Sequence, residues 1–137
     1  MIDSSRLVTF FLLCSRGVCD VFTAALREHH FANAVRHFDD VAQITAKLER
    51  MRDSSQVVVL IDGADEDALD ALRALKASDF NHVPVVLVGG KDQARAAYDA
   101  GANAVLAREV WEGDIARVTR AVGSFWIRLV KRPPVYR

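Results

Sequence analysis

The chain has 137 residues, eighteen of them basic and eighteen acidic. That length suits one domain, whose folding would bury roughly two thirds of the unfolded chain's surface, enough for a core without staples. Zero net charge removes the field that draws nucleic acid or an anionic membrane surface, and no apolar run approaches the ~20 residues of a membrane span.

Leu7 to Cys14 is a continuous apolar run containing Val, Thr and two Phe, as expected of a strand buried on both faces. Val18, Val21, Phe22, Ala25 and Leu26 follow at helical spacing. Ala34 to Phe38 is a short second strand, and Val41, Ile44, Leu48 and Met51 repeat every three to four residues, which predicts an amphipathic helix. Val57 to Ile61 is the third strand. Ala68, Leu69, Leu72 and Leu75 are the inward stripe of the next helix, with Asp65, Glu66 and Asp67 in its first turn, where acids favour the helix dipole. Val83 to Val88 is the fourth strand. After Gly89-Gly90 comes an Ala-rich helix over Gln93 to Ala100, stopped by Gly101, then a short strand at Ala104 to Ala107. A last helix begins near Trp111 and keeps Ile115, Val118, Val122, Phe125, Trp126 and Leu129 on one face until Pro133-Pro134 ends it.

Strands that alternate with helices imply a parallel sheet covered on both sides, because each crossover returns the chain right-handedly to the same sheet. The expectation is one α/β doubly wound domain over residues 1–137, extended by the end of the last helix and a basic, Pro-containing tail from about 124 to 137. Only that tail, with Arg128, Lys131, Arg132 and Arg137, is locally basic. The start, Met1 to Arg6, lacks the pattern of a secretory leader, and Cys14 and Cys19 read as reduced thiols rather than a bridge, so a cytoplasmic protein is expected.

Asp62 follows the apolar run Val57 to Ile61 and precedes Gly63. Ligands of an open parallel sheet gather beyond the carboxyl ends of its strands, so an acid there is either a functional group or a cap of the following turn. In order and spacing, Leu12-Leu13-Cys14, Leu60-Ile61-Asp62, Val83-Pro84-Val85-Val86-Leu87-Val88 and Ala100-Gly101-Ala102 leading into Ala104-Val105-Leu106 resemble the receiver domain of two-component response regulators. The resemblance covers nearly the whole chain. It implies a flavodoxin-like (βα)5 fold with strand order 2-1-3-4-5, non-enzymatic signalling, and Asp62 as the candidate phosphoacceptor. The tail from Ser124 through Pro134 is similar to the ending of some stand-alone receivers.

In that family two acids after the first strand hold a magnesium ion, which offsets the charge of the phosphoryl group and of the attacking carboxylate. Here those positions are Ser15 and Arg16. The family's hydroxyl after the fourth strand is replaced by Gly89, and its aromatic on the fifth strand by Val105. The lysine that pairs with the phosphoaspartate aligns with Arg108, which keeps the charge without a compact point-charge geometry. The site therefore reads as degenerate, with Asp62 ion-paired to Arg16 or Arg108. No cofactor is expected, and Mg2+ only if phosphorylation is retained.

Such a protein would act through contacts with a sensor histidine kinase, a downstream signalling protein or a second copy of itself. In the family the usual surface is the face made by the helix near 93–100, the following strand and the last helix. Tyr98, Phe125 and Trp126 are its candidate residues. For Phe125 and Trp126, packing on the core is the competing reading. The alternative is a conventional receiver phosphorylated on Asp62. From another class, Cys14-Ser15-Arg16-Gly17-Val18-Cys19 ends a strand and opens a helix, where amides and the helix dipole can activate a thiol, and it looks a little like the loop of phosphocysteine carrier domains. His29, His30, His37 and His82 share no metal-ligand spacing, and a glycine-rich dinucleotide fingerprint is lacking.

Overall fold

Val57–Asp62 is buried at every position and forms the middle strand of a five-stranded parallel sheet. In this computed structural model the described residues are 9–14, 20, 23–24, 27, 34–51, 57–64, 66–89 and 91–107. The strands are β1 (Thr9–Leu13), β2 (Val35–His37), β3 (Val57–Asp62), β4 (Val85–Gly89) and β5 (Ala104–Ala107), in the order 2-1-3-4-5. The helices are α1 (Val41–Arg50), α2 (Ala68–Ala77) and α3 (Lys91–Asp99). The expected fold class and strand order are both observed. Of the helix expected after β1, Asp20, Thr23, Ala24 and Arg27 are helical, and the rest lies outside the described residues. The last helix and the tail from residue 108 onward also lie outside them.

Side chains alternate across a strand, so each strand feeds two faces. Phe11, Leu13, Val59, Ile61, Val85 and Leu87 meet Ile44 and Leu48 of α1, Leu72 and Leu75 of α2 and Ala97 of α3 in one apolar cluster. Phe38, just beyond β2, stacks at a tilt on Phe11 with ring centroids 4.7 Å apart. Phe10, Leu12, Val58, Leu60, Val86 and Val88 are buried too, so the sheet is covered on both faces, as a parallel sheet requires. Each such fully buried side chain contributes about 1.5–3 kcal/mol on leaving water.

Local chemistry sets the element ends. Asp40 caps α1 by accepting the Gln43 N–H at 2.9 Å, while the Gln43 side chain accepts the Asp39 N–H at 2.9 Å. α2 begins at Ala68, so Glu66 and Asp67 precede the helix rather than occupy its first turn, where Asp70 stands instead. β4 begins at Val85, two residues later than expected, because Pro84 has no N–H for the ladder. α3 begins at Lys91, two residues earlier than expected. Its end follows the glycine rule: Gly101 has φ +108°, Ala102 N–H donates to Ala97 O at 2.9 Å, and Gly101 N–H donates to Tyr98 O at 3.0 Å.

A polar tie holds the amino-terminal edge of the sheet. The half-buried Lys76 ammonium donates to Asn81 O at 3.1 Å, Val83 O at 2.9 Å and Asn103 Oδ1 at 3.0 Å, three bonds for three donors. Asn103 Oδ1 also accepts the Val85 N–H at 2.9 Å, and Asn103 N–H donates to Val85 O at 2.8 Å. The tie therefore joins the end of α2 to the starts of β4 and β5. Burial holds the Lys76 pKa below its usual value.

Candidate functional site at the carboxyl edge of the sheet

Asp62 is the last residue of β3, one residue further inside the strand than expected, and is 5% exposed. It is the one buried charged residue among those described. Its register partner on β4 is Val88, and Gly63 N–H extends the ladder by donating to Val88 O at 2.7 Å. Asp62 Oδ1 accepts the Ala64 N–H at 3.0 Å. The carboxylate thus closes the turn that follows its own strand, the capping role weighed from the sequence.

Gly63 and Gly89 flank this turn on adjacent strands, and both are buried. A Cβ on Gly63 would lie 2.6 Å from Val88 O and 2.9 Å from Gln93 Oε1; one on Gly89 would run into Gln93 Oε1 as well. The amide of Gln93, in the first turn of α3, fills the space that both residues leave, and its Nε2 donates to Gly63 O at 2.8 Å. Neither Gln93 nor Ala64 was singled out from the sequence. Two glycines at neighbouring strand ends were the available signal, since something else must then occupy their side-chain space.

Gly89 is therefore at the same edge as Asp62, on β4. Val105 is not: its partner is Leu87, one register step inside the Asp62–Val88 pair, and it is half-buried against the core. Tyr98 is 52% exposed on α3 and its hydroxyl accepts the Val105 N–H at 3.3 Å, which lays the ring along β5. Ser15, Arg16, Arg108, Phe125 and Trp126 lie outside the described residues, as do His29 and His30.

Cys14 corrects the sequence reading. It follows β1 directly, one residue beyond the Leu13–Ile61 pair that ends the β1–β3 register. It is disulfide-bonded, whereas reduced thiols were expected; spacing alone does not reveal a bridge. A sulfur held in a disulfide is not a thiolate, so it cannot take a phosphoryl group as the phosphocysteine reading requires. The bridge also removes the cysteine argument for a reducing compartment. The Cys14 carbonyl accepts a bond from His37 Nε2 at 2.9 Å.

No three His, Cys, Asp or Glu side chains among the described residues are grouped to hold a metal ion, and one Asp62 oxygen is engaged with Ala64 N–H. Nearby, a cavity of about 540 Å³ between the starts of α1 and α2 is rimmed by Asp39, Asp40, Glu66, Asp67 and Asp70. Of these, Asp40 caps α1 and Asp70 stands in the first turn of α2, positions where cap and dipole chemistry favours acids. No described helix is long and apolar enough to cross a membrane.

No protein-family model and no curated protein matches the chain. Solved structures do. The Mn2+-bound form of response regulator Rcp1 aligns with TM-score 0.71 at 19% identity, covering 92% of this chain and 99% of that one. The phosphorylated cyanobacterial phytochrome response regulator RcpA aligns with TM-score 0.71 at 17% identity over 90% and 96%. A response regulator receiver domain from Rhodospirillum rubrum aligns with TM-score 0.68 at 25% identity over 87% and 93%. The five-stranded sheet and its strand order are accordingly those of the response regulator receiver fold.

Proposed function

We propose that this chain is a receiver-type signalling protein of the two-component kind in which Asp62 no longer takes a phosphoryl group and output runs through protein contacts. The observation that carries the reading is the use of the Asp62 carboxylate as the cap of its own turn, beside a position, Gly89, that offers no hydroxyl. Arg16 or Arg108 is the counter-charge that the sequence offers Asp62 in place of a metal. In this reading the protein is not an enzyme.

The contact surface is the face of α3 and β5, with Phe125 and Trp126, outside the described residues, as its further candidates from the sequence. Tyr98 supports this assignment as the one large apolar side chain exposed among the described residues. The partner is a sensor histidine kinase, a downstream signalling protein or a second copy of the chain. Incubation with acetyl phosphate and magnesium, read by intact mass, is expected to leave Asp62 unmodified. A phosphoryl adduct mapped to Asp62 would establish the conventional receiver instead. Tyr98→Ala is expected to weaken partner or dimer binding with the fold intact, and unchanged binding would remove the α3 face from the account.

A further inference from the structure

The Gly63 carbonyl and the Ala64 N–H belong to one peptide unit, and the two ends of that unit are held by different parts of the molecule. Its N–H donates to Asp62 Oδ1 at 3.0 Å, and its oxygen accepts from Gln93 Nε2 at 2.8 Å. A peptide unit is planar and stiff, with a barrier of roughly 18–20 kcal/mol against twisting, so its two ends turn together. Gln93 is the third residue of α3, and five residues further along the same helix stands the exposed Tyr98, bonded through its hydroxyl to β5.

We infer that Gln93 is the positioning residue that couples the state of Asp62 to α3, in place of a side chain at position 89. When the Asp62 carboxylate is neutralised, modified or drawn to another partner, its hold on Ala64 N–H changes and the 63–64 peptide turns. Gly63 O then moves relative to Gln93 Nε2. Because the Gln93 amide also fills the side-chain space above Gly63 and Gly89, it cannot stay in place while that peptide rotates. The helix end shifts with it, and the shift reaches the Tyr98–Val105 contact. This deepens the reading of the Asp62 edge as a signalling site and rests on it, but it needs no phosphoryl transfer.

The test is amide NMR on the whole chain, comparing wild type, Asp62→Ala, Gln93→Met and the double variant. Methionine keeps the bulk of Gln93 and removes its bond to Gly63 O. Asp62→Ala is expected to shift the Tyr98 and Val105 resonances in the wild-type background, and most of that shift is expected to be lost when Gln93→Met is present. Tyr98 and Val105 resonances that ignore Asp62→Ala, or that move equally in both backgrounds, would overturn the coupling. If Gln93→Met does not fold, Gln93→Leu removes the bond while keeping an apolar side chain in the same space, with the same expected and refuting results. Failure of the coupling leaves Asp62 unmodified in the acetyl phosphate experiment, whereas failure of the degenerate-site reading shows as an adduct there, so the two are told apart.

Discussion

Replacing Gly63 and Gly89 separately by alanine distinguishes a rigid close approach from a yielding one. On Gly63 the new Cβ would meet Val88 O at 2.6 Å, and that oxygen is β4 backbone already bonded to Gly63 N–H at 2.7 Å. Relief requires opening the last β3–β4 bond. Losing one hydrogen bond of about 1 kcal/mol and overpacking a filled site by about 1–3 kcal/mol gives an expected cost of about 2–4 kcal/mol. On Gly89 the nearest obstacle is the end of the Gln93 side chain, which can swing away by giving up its bond to Gly63 O, at about 1 kcal/mol. Urea unfolding followed by circular dichroism measures both. With a slope of roughly 2 kcal/mol per molar urea, Gly63→Ala should lower the midpoint by about 1–2 M and Gly89→Ala by about 0.5 M, with slopes unchanged. Equal midpoints, or a larger loss at Gly89, would refute the placement of Gln93 and the tightness of the Val88 contact.

Lys76→Met leaves Asn81 O and Val83 O without their charged donor and is expected to cost about 2 kcal/mol in the same urea assay, since such bonds contribute about 1.5–3 kcal/mol net, offset here by relief of burial. The same variant tests the sign of a pH effect. Burial lowers the Lys76 pKa from 10.5, so between the folded value and 10.5 the unfolded chain binds more protons; this group's contribution to stability rises through that window and is lost as pH falls through the folded value. Wild type should show that alkaline rise relative to Lys76→Met, and parallel profiles would contradict it. Gly101→Ala places a Cβ at φ +108°, 2.8 Å from Lys76 Cγ, and is expected to lower stability by about 1–2 kcal/mol, a thermal midpoint lower by several degrees.

The strands were legible because a parallel sheet buried on both faces demands uninterrupted apolar runs, and Val57 to Ile61 or Val85 to Val88 have no other use. Gly101 was legible because a helix end in the left-handed region has a residue preference. What the pattern missed depended on contacts distant in the chain. Hydropathy carried the fourth strand back to Val83, although Pro84 cannot donate to the ladder. The disulfide of Cys14 is a matter of geometry and redox state that cysteine count and spacing leave open. Asp62 could be placed by its strand, but its engagement with Ala64 depends on the turn beyond it. Gln93 carries no local signature, because its bond to Gly63 reaches thirty residues back and exists only once β3 and β4 are neighbours.

The central claim is that the Asp62 edge no longer accepts a phosphoryl group. Titration of the labelled protein with beryllofluoride and magnesium, followed through the amide resonances of Gly63, Ala64 and Gly89, tests it most directly, because a group bound to the Asp62 carboxylate changes the charge on the oxygen that accepts the Ala64 N–H at 3.0 Å. The account predicts that these resonances stay where they are. A saturable shift of Ala64 and Gly89, abolished by Asp62→Ala, would contradict it and make the chain a working phosphoacceptor.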